Sequence, residues 1–565
     1  MEKDLSIMRH SAAHLLAAAV LKLFKGTKLG IGPSIKNGFY YDFDFTNYRE
    51  ISHEFPRIDD LPRIEEKMKE IREKDLKFEK KLVSKKEAEK IFKNQPYKLE
   101  LVKEIGEGRV SIYKTGDFID LCKGPHKKST KEIGSFKLLS IAGAYWRGSE
   151  TNPMLLRIYG TCFEKGEELE KYLKQLEEAK KRDHRKLGAE LDLFSFHKEA
   201  PGMVFFHPKG QILYQILENF SQDIQKKYNY QEVICPNMLN VEVWKRSGHW
   251  QHYKEAMYFV KEDFALRPMD CPGAILIYKT QTRSYKELPM RLSEFGVITR
   301  KELSGTLHGL FRLQQFTQDD AHIFLREDQI EEEIGKIIKL TKEVYQKFDL
   351  PFLTFLSMRP ANFMGKIETW DKAENALKQA LKNNKIEFQE NPGEGAFYGP
   401  KIDFHLEDVL GRTWQCGTIQ LDFQMPEKFD LEYIDKDGKA KRPVIIHRTI
   451  LGSIERFIGI LLEHTGGNLP FWLSPIQVVI LPIASRHLAY AKVIGDRIFD
   501  LGFRREIDQR NETLEKKIRD WEIQKVPYML VVGDKEIKNK KVALRDREKG
   551  DLGQIDLTKF LKMIK

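Results

Sequence analysis

The stretch from residue 164 to about residue 186 constrains the fold most, because it divides the chain into parts that fold separately. It consists almost entirely of Glu, Lys, Leu and Arg, has no Pro and has one early Gly. Such a stretch is typical of a solvated helix, and its position predicts a connection between domains. Since 565 residues are far too many for one hydrophobic core, about three to four domains are expected.

Composition and charge narrow the class of protein and leave its partner open. Hydrophobic residues make up 41% of the chain and charged residues 32%, and the mean hydropathy is −0.49. These values are typical of a folded multidomain protein rather than a disordered one. The formal net charge of +11 is compatible with a polyanionic partner, and equally with a plain requirement for solubility.

The cysteines indicate a reducing compartment, and the apolar runs predict no membrane-spanning segment. The five cysteines are odd in number and widely spaced, which disfavours a disulfide framework. The first residues form no signal-peptide pattern, and no apolar run approaches the ~20 residues of a membrane span. We therefore expect a cytoplasmic protein without a membrane partner.

Apolar periodicity predicts the elements of the first part of the chain. A short strand is predicted over residues 38–43, where aromatic residues are frequent. A charged helix is predicted over residues 62–92, because Ile64, Met68 and Ile71 recur at helical spacing. The Lys and Glu face of that helix is interpreted as a solvated surface.

The rest of the chain reads as one large unit and one small unit. Residues 196–472 contain the mixed strand and helix signals expected of a large catalytic unit. After them, apolar strands at 477–481 and 528–532 alternate with helical patterns. This alternation predicts a small doubly wound α/β module of about ninety residues.

Arginines in the large unit are candidates for binding phosphates. The chain has neither a Walker-type loop nor a Rossmann glycine fingerprint, so a bound nucleotide would need charged side chains around its phosphates. Arg300 and Glu302 follow a strand-like segment, and Arg312 follows a glycine-containing loop. Arg456 ends the segment Gly-Ser-Ile-Glu-Arg. From these residues alone, a surface ion pair is the more ordinary interpretation.

Three further residues are candidate ligands of a metal ion. Cys271, His322 and His447 supply one thiolate and two imidazoles, a reasonable zinc ligand set that leaves one position free. Their separations are far too long for a finger-type motif. Spacing alone therefore favours a buried Cys and hydrogen-bonded core His as the default.

A second set of histidines and cysteine lies in the first part of the chain. His10 and His14 are four residues apart, on one face if that run is helical, and Cys122 and His126 repeat the spacing. Such side chains are a common zinc ligand set, so the residues alone indicate a metal site.

Three short segments resemble the signature motifs of a known class of enzymes. Residues 230–236, 300–302 and 452–456 are similar to the first, second and third motifs of class II aminoacyl-tRNA synthetases. This resemblance reverses the ordinary interpretation of Arg300 and Arg456. It implies an antiparallel sheet flanked by helices as the catalytic core, and a homodimer formed through the first motif.

Longer strings narrow the resemblance to threonyl-tRNA synthetases. These are Gly-Thr-Leu-His-Gly-Leu at 305–310, Phe-Thr-Gln-Asp-Asp-Ala-His-Ile-Phe at 316–324 and Gly-Glu-Gly-Ala-Phe-Tyr-Gly-Pro-Lys at 393–401. The resemblance covers roughly residues 5 to 565. It implies a multidomain α+β protein, with an α+β editing domain before the core and an α/β anticodon-binding domain after it. The implied ranges are 1–163 for editing, 164–195 for a linker helix, 196–472 for catalysis and 473–565 for anticodon binding.

The resemblance implies ATP-dependent joining of threonine to tRNA(Thr), with Mg²⁺ accompanying ATP. Delocalised guanidinium groups suit the negative charge that develops at the α-phosphate. The implied catalytic residues are Arg300, Arg456, Lys401, Gln318, Asp320 and Tyr398. The implied ATP contacts are Arg300, Glu302, Arg312, Gln415 and Arg456. The implied threonine contacts are Met269, Gln318, Asp320, Tyr398, Gln420 and Ser453.

The resemblance also places one zinc ion per chain on Cys271, His322 and His447. Valine is nearly isosteric with threonine, and an apolar pocket separates such pairs only ~10²-fold. A zinc ion with an open position can bind both the amino group and the hydroxyl of threonine. Valine, which has no hydroxyl, is then excluded.

Serine keeps the hydroxyl and differs by one methyl group, worth only ~1 to 3 kcal/mol. The resemblance therefore implies a second, hydrolytic site for seryl-tRNA in the first domain, generally without metal. Its residues would be His10, His14, Lys98, Asp120, Cys122 and His126. Asn511, Glu536 and Arg545 fall at the family's base-reading positions, where polar side chains can bond unpaired anticodon bases.

Some features depart from the family. The chain has no room for the small ubiquitin-like domain that commonly precedes the editing domain, which we interpret as loss in this lineage or trimming. Asp270 stands where Asn is usual, and Gln314 and Gln315 stand where Arg-Gly is usual. A different hypothesis is a paralogue without ligase activity that regulates RNA or only edits. The presence of Arg300 and Arg456 argues against it.

Overall fold

The computed structural model describes residues 2–48, 55–106, 108–149, 151–261 and 263–565. The chain divides into two compact units, Met1–Glu177 and Glu178–Lys565. Among the described helices, none combines the length and the apolar character needed to cross a membrane.

The first unit contains two antiparallel sheets, ordered β1-β3-β8-β7 with β2 on β3, and β4-β5-β6. Among the residues that the structure describes in this unit, the helices include α1 (Glu2–Leu23), α2 (Leu61–Glu73), α3 (Lys85–Ile91) and α4 (Pro96–Glu104). Its strands are β1 (Lys28–Leu29), β2 (Ser34–Ile35), β3 (Gly38–Asp44), β4 (Glu79–Ser84), β5 (Arg109–Thr115), β6 (Phe118–Leu121), β7 (Ser135–Tyr145) and β8 (Met154–Phe163). Every side chain from residue 11 to residue 20 of α1 is buried, so this helix forms the centre of the core.

The single helix predicted over residues 62–92 is wrong in its middle. Helix α2 buries Ile64, Met68 and Ile71 as predicted. Asp75 then has a φ of +51°, which no α-helix continues through. Strand β4 follows and pairs with β5, and Ser84 caps the start of α3. The charged sequence of β4 carries no strand signal of its own, because its conformation depends on the partner strand.

The charged stretch that divides the chain forms a helix, as predicted. Helix α5 (Gly166–Lys181) has no buried residue, and the boundary between the two units falls within it. Asp183 then caps a new short helix, α6 (His184–Glu190).

The second unit is built around an eight-stranded sheet, ordered β11-β16-β17-β24-β21-β20-β18-β19. Its six central strands are antiparallel, and the two edge strands pair in parallel. Three smaller sheets, β9-β10, β12-β14-β13 and β15-β22-β23, surround it. The strands are β9 (Phe194–Phe196), β10 (Val204–Phe206), β11 (Gln231–Glu232), β12 (Met238–Asn240), β13 (Phe259–Val260), β14 (Phe264–Leu266), β15 (Arg283–Ser284), β16 (Met290–Thr299), β17 (Gln315–Leu325), β18 (Phe352–Ser357), β19 (Gln389–Asn391), β20 (Lys401–Glu407), β21 (Thr413–Asp422), β22 (Tyr433–Ile434), β23 (Ala440–Lys441) and β24 (Val444–Ser453).

Helices cover one face of the large sheet and form the main core with it. The helices of this part are α7 (Pro208–Lys227), α8 (Val241–Arg246), α9 (His249–Tyr253), α10 (Cys271–Tyr278), α11 (Ile330–Lys347), α12 (Ile367–Asn383), α13 (Gln424–Lys428) and α14 (Ile454–Thr465). Apolar residues of α7, α11, α12 and α14 pack against this face of the sheet. On the other face a second apolar cluster, with α10 and α13, covers one end, and polar side chains lie beyond it.

The predicted α/β module follows at the carboxy terminus. Strands β25 (Val478–Pro482), β26 (Arg505–Ile507) and β27 (Tyr528–Val532) are parallel, and β28 (Lys541–Asp546) and β29 (Gly550–Asp556) extend the sheet antiparallel. Helices α15 (Leu488–Asp500) and α18 (Leu557–Ile564) pack on one face, α16 (Leu514–Ile523) packs on the other, and α17 (Asp534–Asn539) follows β27. Alternate residues of β25 pack into the apolar clusters on the two faces of the sheet, as a doubly wound module requires.

Candidate active site

The candidate active site is built on the polar face of the eight-stranded sheet. Along β17, Gln318, Asp320 and His322 are spaced by two residues, so their side chains point to the same face. Antiparallel pairing sets His322 opposite His447 of β24, which in turn lies opposite Gln420 of β21. Three neighbouring strands therefore present one continuous row of polar side chains.

A bulge in β24 lies beside this row. Residues 450–452 oppose the single residue Asp319 of β17. The buried carboxylate of Asp319 accepts hydrogen bonds of 2.9 to 3.2 Å from the N–H groups of Ile450, Leu451 and Gly452. Backbone N–H groups in a bulge have no partner on the neighbouring strand. Because the Asp319 carboxylate accepts from these groups, it stabilises the bulge. The chain then continues to Ser453 on the polar face.

The polar face forms the floor of a cavity of about 630 Å³. Every residue predicted to contact ATP or threonine lines it: Met269, Arg300, Glu302, Arg312, Gln318, Asp320, Tyr398, Lys401, Gln415, Gln420, Ser453 and Arg456. Cys271 and His447, predicted as metal ligands, also line it. The structure therefore brings residues from several distant segments between Met269 and Arg456 into one site.

The three arginines of the cavity have different partners. The guanidinium of Arg300 lies 5.2 Å from the ring centroid of Phe316, which orients it as a cation over an aromatic face. Arg312 pairs with Glu302 at 2.8 Å. The Nε atom of Arg456 is buried and has no hydrogen-bond partner. Arg456 as a residue lines the cavity, whereas its Nε atom lies beneath the surface.

A buried carboxylate organises the next part of the cavity wall. Asp403 Oδ2 lies 2.9 Å from Lys401 Nζ, and Oδ1 accepts a 2.7 Å hydrogen bond from Gln415 Nε2. Ser357 also donates to Asp403, at 2.6 Å. Asp403 therefore fixes two predicted site residues on two adjacent strands.

Cys271, His322 and His447 form a compact buried cluster, with their ligand atoms all within 4.8 Å of one another. Cys271 begins α10, whereas the two histidines are strand neighbours. Burial lowers the pKa of His322 well below its ordinary value, so its imidazole is neutral. Burial also raises the pKa of the Cys271 thiol, an effect that a bound cation opposes.

The hydrogen bonds around this cluster fit a metal ion. His447 Nε2 lies 2.9 Å from Asp422 Oδ2 and donates to it, which leaves the lone pair of Nδ1 free. That Nδ1 atom and His322 Nε2 are both buried without a hydrogen-bond partner. Asp422 is itself held by the backbone N–H groups of Gln424 and Met425. A carboxylate that orients the far nitrogen of an imidazole is the usual support of a metal ligand.

In the first unit, the predicted editing residues also lie together. Cys122 Sγ lies 3.4 Å from His10 Nε2 and 3.3 Å from His126 Nε2. The ring centroids of His14 and His126 are 4.1 Å apart. Burial raises the pKa of Cys122 to about 11 and lowers the pKa of His126 far below its ordinary value. The thiol and the imidazole are therefore neutral near pH 7.

A buried ion pair adjoins these rings. Lys98 Nζ lies 2.6 Å from Asp120 Oδ1, and both side chains are 2% exposed. Asp120 also accepts a 2.6 Å hydrogen bond from the Tyr41 hydroxyl and lies 3.4 Å from His14 Nε2. These additional partners fix the positions of the Lys98 and Asp120 side chains. It links Lys98 and Asp120 to the histidine cluster, as predicted.

The three predicted anticodon residues are not joined to one another. Asn511 is exposed and follows β26, and Glu536 follows β27, so both lie beyond the carboxyl ends of parallel strands. Glu536 accepts from Gly533 N at 3.0 Å and from Gln554 at 2.6 Å. Arg545 lies opposite Met529 on β28, and no hydrogen bond or ion pair within residues 473–565, all described, connects the three.

The two departures from the family pattern lie behind the cavity. Arg267 Nη1 lies 3.0 Å from Asp270 Oδ1 without hydrogen-bond geometry, and burial raises the pKa of Asp270 to about 7. The side chain of Gln314 accepts from the Tyr258 hydroxyl. The backbone carbonyl of Gln314 accepts from Arg300 N at 2.7 Å. Each residue thus supports the cavity through its neighbours.

Sequence reasoning missed the buried polar residues that support the site. These are Asp319, Asp403, Asp422, Glu455 and His249. Two carried a usable signal, because Asp403 follows Lys401 by two positions and Asp422 follows Gln420 by two, which continues the polar face of each strand. The other three carried none that points to the site. Asp319 and Glu455 bind backbone N–H groups of distant segments, and His249 contacts a methionine sulfur. The nearby serines that bond Glu455 and His249 are ordinary sequence neighbours.

Family profiles match three parts of the chain. The profile described as tRNA synthetase class II core domain (G, H, P, S and T) matches residues 256–465, and the anticodon binding domain matches residues 477–565. The threonyl and alanyl tRNA synthetase second additional domain matches residues 110–159. Together with the antiparallel sheet and its cavity, these matches define a class II aminoacyl-tRNA synthetase core.

Close relatives identify the family within that class. Threonine–tRNA ligase of Carboxydothermus hydrogenoformans is 54% identical over 98% of this chain and 88% of its own length. That of Caldanaerobacter subterraneus subsp. tengcongensis is 54% identical over 100% of this chain and 87% of its own length. The solved RNA binding domain of threonyl-tRNA synthetase from Cryptosporidium parvum Iowa II is 44% identical, with a TM-score of 0.65, over 68% of this chain and 97% of its own. The chain belongs to the threonine–tRNA ligase family.

Glu455 gives the stability of this unit a defined pH dependence. Its carboxylate accepts from Thr317 N at 3.0 Å and Ser453 Oγ at 2.7 Å, and burial raises its pKa from 4.5 to about 7. The folded state therefore binds this proton more tightly than the unfolded chain. The resulting stability is complete below pH 4.5 and is lost as pH rises through about 7, a loss of up to ~3 kcal/mol.

Glu455→Gln should remove that loss, since glutamine stays neutral. Between pH 5 and pH 8 the melting temperature of the variant should fall less than that of the wild type. Glu427→Gln, at an exposed carboxylate of the same unit, should keep the wild-type pH profile. If Glu455→Gln follows the wild-type profile as well, the buried carboxylate is not the titrating group.

Proposed function

We propose that the chain activates threonine with ATP and transfers it to tRNA(Thr). The observation that carries this proposal is that one cavity holds both arginines suited to bind phosphates and candidate metal ligands suited to bind an amino acid. Arg300, Arg312 and Arg456 surround it, and the Cys271, His322 and His447 cluster forms part of its floor. The 54% identity to threonine–tRNA ligases over nearly the whole chain supports the same conclusion.

In the first step a carboxylate oxygen of threonine attacks the α-phosphorus of ATP, and pyrophosphate leaves. Class II synthetases use ATP with Mg²⁺ in general. Arg300 and Arg456, which both line the cavity, would stabilise with their guanidinium charges the negative charge that develops on the α-phosphate. Arg312 would leave Glu302 for the terminal phosphates, and Gln415 would contact the nucleotide from the sheet. In the second step the terminal ribose of the tRNA takes the threonyl group and AMP leaves.

The metal at the floor of the cavity is proposed to be zinc, one ion per chain. One thiolate, two imidazoles and an open fourth position are an established zinc arrangement. A bound zinc ion, which can expand from four to five ligands, would take both the amino group and the hydroxyl of an amino acid. Gln318, Asp320, Tyr398 and Gln420 line the cavity beside it and would orient the same substrate, together with Met269, Lys401 and Ser453.

Cys271→Ala tests this assignment and the proposed activity together. Loss of the only thiol in the cluster should reduce bound zinc from one equivalent to near zero, measured by elemental analysis. Threonine-dependent exchange between ATP and pyrophosphate should fall by at least 10²-fold, because the amino acid loses its ligand. The matched control is Cys235→Ala, at a buried cysteine of the same unit that lies outside the cluster. It should keep both zinc and exchange.

Two results would contradict these proposals separately. Unchanged zinc in Cys271→Ala would disprove the metal site and leave the reaction open. Absence of threonine-dependent exchange in zinc-replete wild-type protein would disprove the reaction. The chain would then be a paralogue that regulates RNA or only edits.

The histidine cluster of the first unit is proposed to hydrolyse seryl-tRNA. Cys122 and His126 fall within the match to the additional domain of threonyl and alanyl synthetases. His14 would accept a proton from an attacking water, and Asp120, whose carboxylate lies 3.4 Å from His14 Nε2, would stabilise the imidazolium that forms. The Lys98 and Asp120 pair would hold the misacylated end beside it. Nothing in this proposal requires a metal ion at the cluster.

Replacing His10 and His14 by alanine should separate the two activities. The two residues lie in the first unit, whereas the arginines of the cavity lie in the second. The double variant should therefore threonylate tRNA at close to the wild-type rate. It should deacylate preformed seryl-tRNA at least 10²-fold more slowly, as expected when general base catalysis is removed.

Threonylation is the folding control for that experiment. A double variant that threonylates normally and still clears seryl-tRNA at the wild-type rate would show that the cluster is structural. A variant that loses both activities would show that the first unit supports catalysis in the second.

The carboxy-terminal module is proposed to read the anticodon, since residues 477–565 match an anticodon binding domain. Asn511, Glu536 and Arg545 are the proposed base contacts. Because Glu536 already accepts two hydrogen bonds, a base would have to share or displace Gln554. We propose the domain limits 1–163, 164–195, 196–472 and 473–565 for editing, linker, catalysis and anticodon binding. A homodimer in the cytoplasm, formed through the first motif, completes the proposal.

A further inference from the structure

A third group of potential ligands, Asp183, His184 and Glu463, lies on the helical side of the catalytic sheet. His184 is fully buried and lies 2.6 Å from Glu463 Oε1 through Nδ1. Its Nε2 atom accepts a 2.9 Å hydrogen bond from the backbone N–H of Leu310. Because Nε2 accepts, the proton is on Nδ1 and is donated to Glu463. Both ring nitrogens are used, so His184 has no nitrogen left for a metal ion.

The hydrogen bond to Leu310 reaches the wall of the ATP cavity. Leu310 belongs to the short turn Gly309–Phe311, and Leu310, Phe311 and the following Arg312 all line the cavity. The ring centroid of Phe311 lies 4.2 Å from that of His184. Gly309 has a φ of +49°, and a Cβ atom there would lie 2.1 Å from His184 Nε2. The turn is therefore fitted closely around the imidazole.

The same turn is held from its other side by contacts that return to Glu463. Phe311 stacks on Trp414, with centroids 4.1 Å apart. Trp414 Nε1 donates to Asp408 at 3.0 Å. Arg412 donates to Asp408 at 2.7 Å and to Glu463 at 2.5 Å. These contacts close a ring from Glu463 through His184, the turn and Trp414 back to Glu463.

We propose that His184 is a positioning residue for ATP, which holds the turn Gly309–Phe311 and thereby sets the place of Arg312. His184 touches no substrate, and it acts through its Nε2 acceptor. Without that acceptor, a buried N–H group lacks a partner and the turn shifts to find one. This inference rests on the proposed use of ATP. It also connects α6, the first helix after the charged connecting helix, to the ATP wall.

Two near-isosteric variants separate the two hydrogen bonds of His184. His184→Asn places its amide near Nδ1, so it keeps a donor for Glu463 and loses the acceptor for Leu310. His184→Gln places its amide oxygen near Nε2, so it keeps the acceptor. The KM for ATP in threonine-dependent pyrophosphate exchange should rise roughly tenfold in His184→Asn. It should stay within about threefold of wild type in His184→Gln, and kcat should change little in both.

His487 provides a matched control. It is also buried, accepts a backbone N–H from Ala484 at Nδ1, and contacts Asp534 through Nε2 at 3.0 Å, in the carboxy-terminal module. His487→Asn should lower the melting temperature without changing the KM for ATP. Titration of each protein with Mg²⁺-ATP, followed by calorimetry, gives the same comparison without threonine.

The outcomes are distinct. A KM for ATP in His184→Asn within twofold of wild type overturns the proposal, as does an equal rise in His184→Gln. If both His184 variants fail to fold while His487→Asn folds, His184 serves folding and the proposal is wrong. Wild-type protein that binds Mg²⁺-ATP but shows no exchange would contradict the proposed function, and the calorimetric comparison would still decide the role of His184.

Discussion

The register between β17 and β24 is the constraint on which the site depends. It places His322 opposite His447 and, past the bulge, Gln318 opposite Ser453. Because side chains alternate along a strand, a shift of one residue would turn these groups into the apolar core. The buried carboxylate of Asp319 fixes the bulge by accepting three backbone N–H groups. The Cys271, His322 and His447 cluster and the arginine-lined cavity therefore both depend on this register.

Two buried carboxylates beside the cavity are compensated by specific partners. Asp403 is bound by Lys401 and Gln415, and Asp422 is bound by His447 and two backbone N–H groups. Other buried polar atoms in this region lack a hydrogen-bond partner: His322 Nε2, His447 Nδ1 and Arg456 Nε, and also Arg448 Nε and both carboxylate oxygens of Asp270. Since an unpaired buried polar group is costly, such atoms are expected where a ligand completes the set. The two imidazole nitrogens of the Cys271, His322 and His447 cluster are the atoms that a bound metal ion would satisfy.

The sequence predicted elements with a local apolar pattern better than elements whose conformation depends on a distant partner. The strand at 528–532 and the charged connecting helix are confirmed, because their patterns are local. The helix over 62–92 is wrong between α2 and α3, where β4 takes its conformation from pairing with β5. Local pattern cannot report a partner strand that lies further along the chain.

The candidate site shows the same division. The resemblance to the second and third class II motifs predicted that Arg300 and Arg456 share one site. Spacing alone gave no reason to join Cys271 with His322 and His447. Those three residues meet only because the sheet pairs two distant strands and α10 begins beside them. Asp319 and His184 could not be found from sequence, since each acts through the backbone N–H groups of a distant segment.

The central claim is that the cavity selects its amino acid through a metal ion with an open position. Cobalt(II), exchanged into the cluster, reports its ligands through its visible absorption spectrum. The claim predicts that threonine and serine shift the spectrum of the cobalt protein, whereas valine at the same concentration leaves it unchanged. A spectrum that responds equally to valine, or to none of the three, would contradict direct recognition of the hydroxyl by the metal.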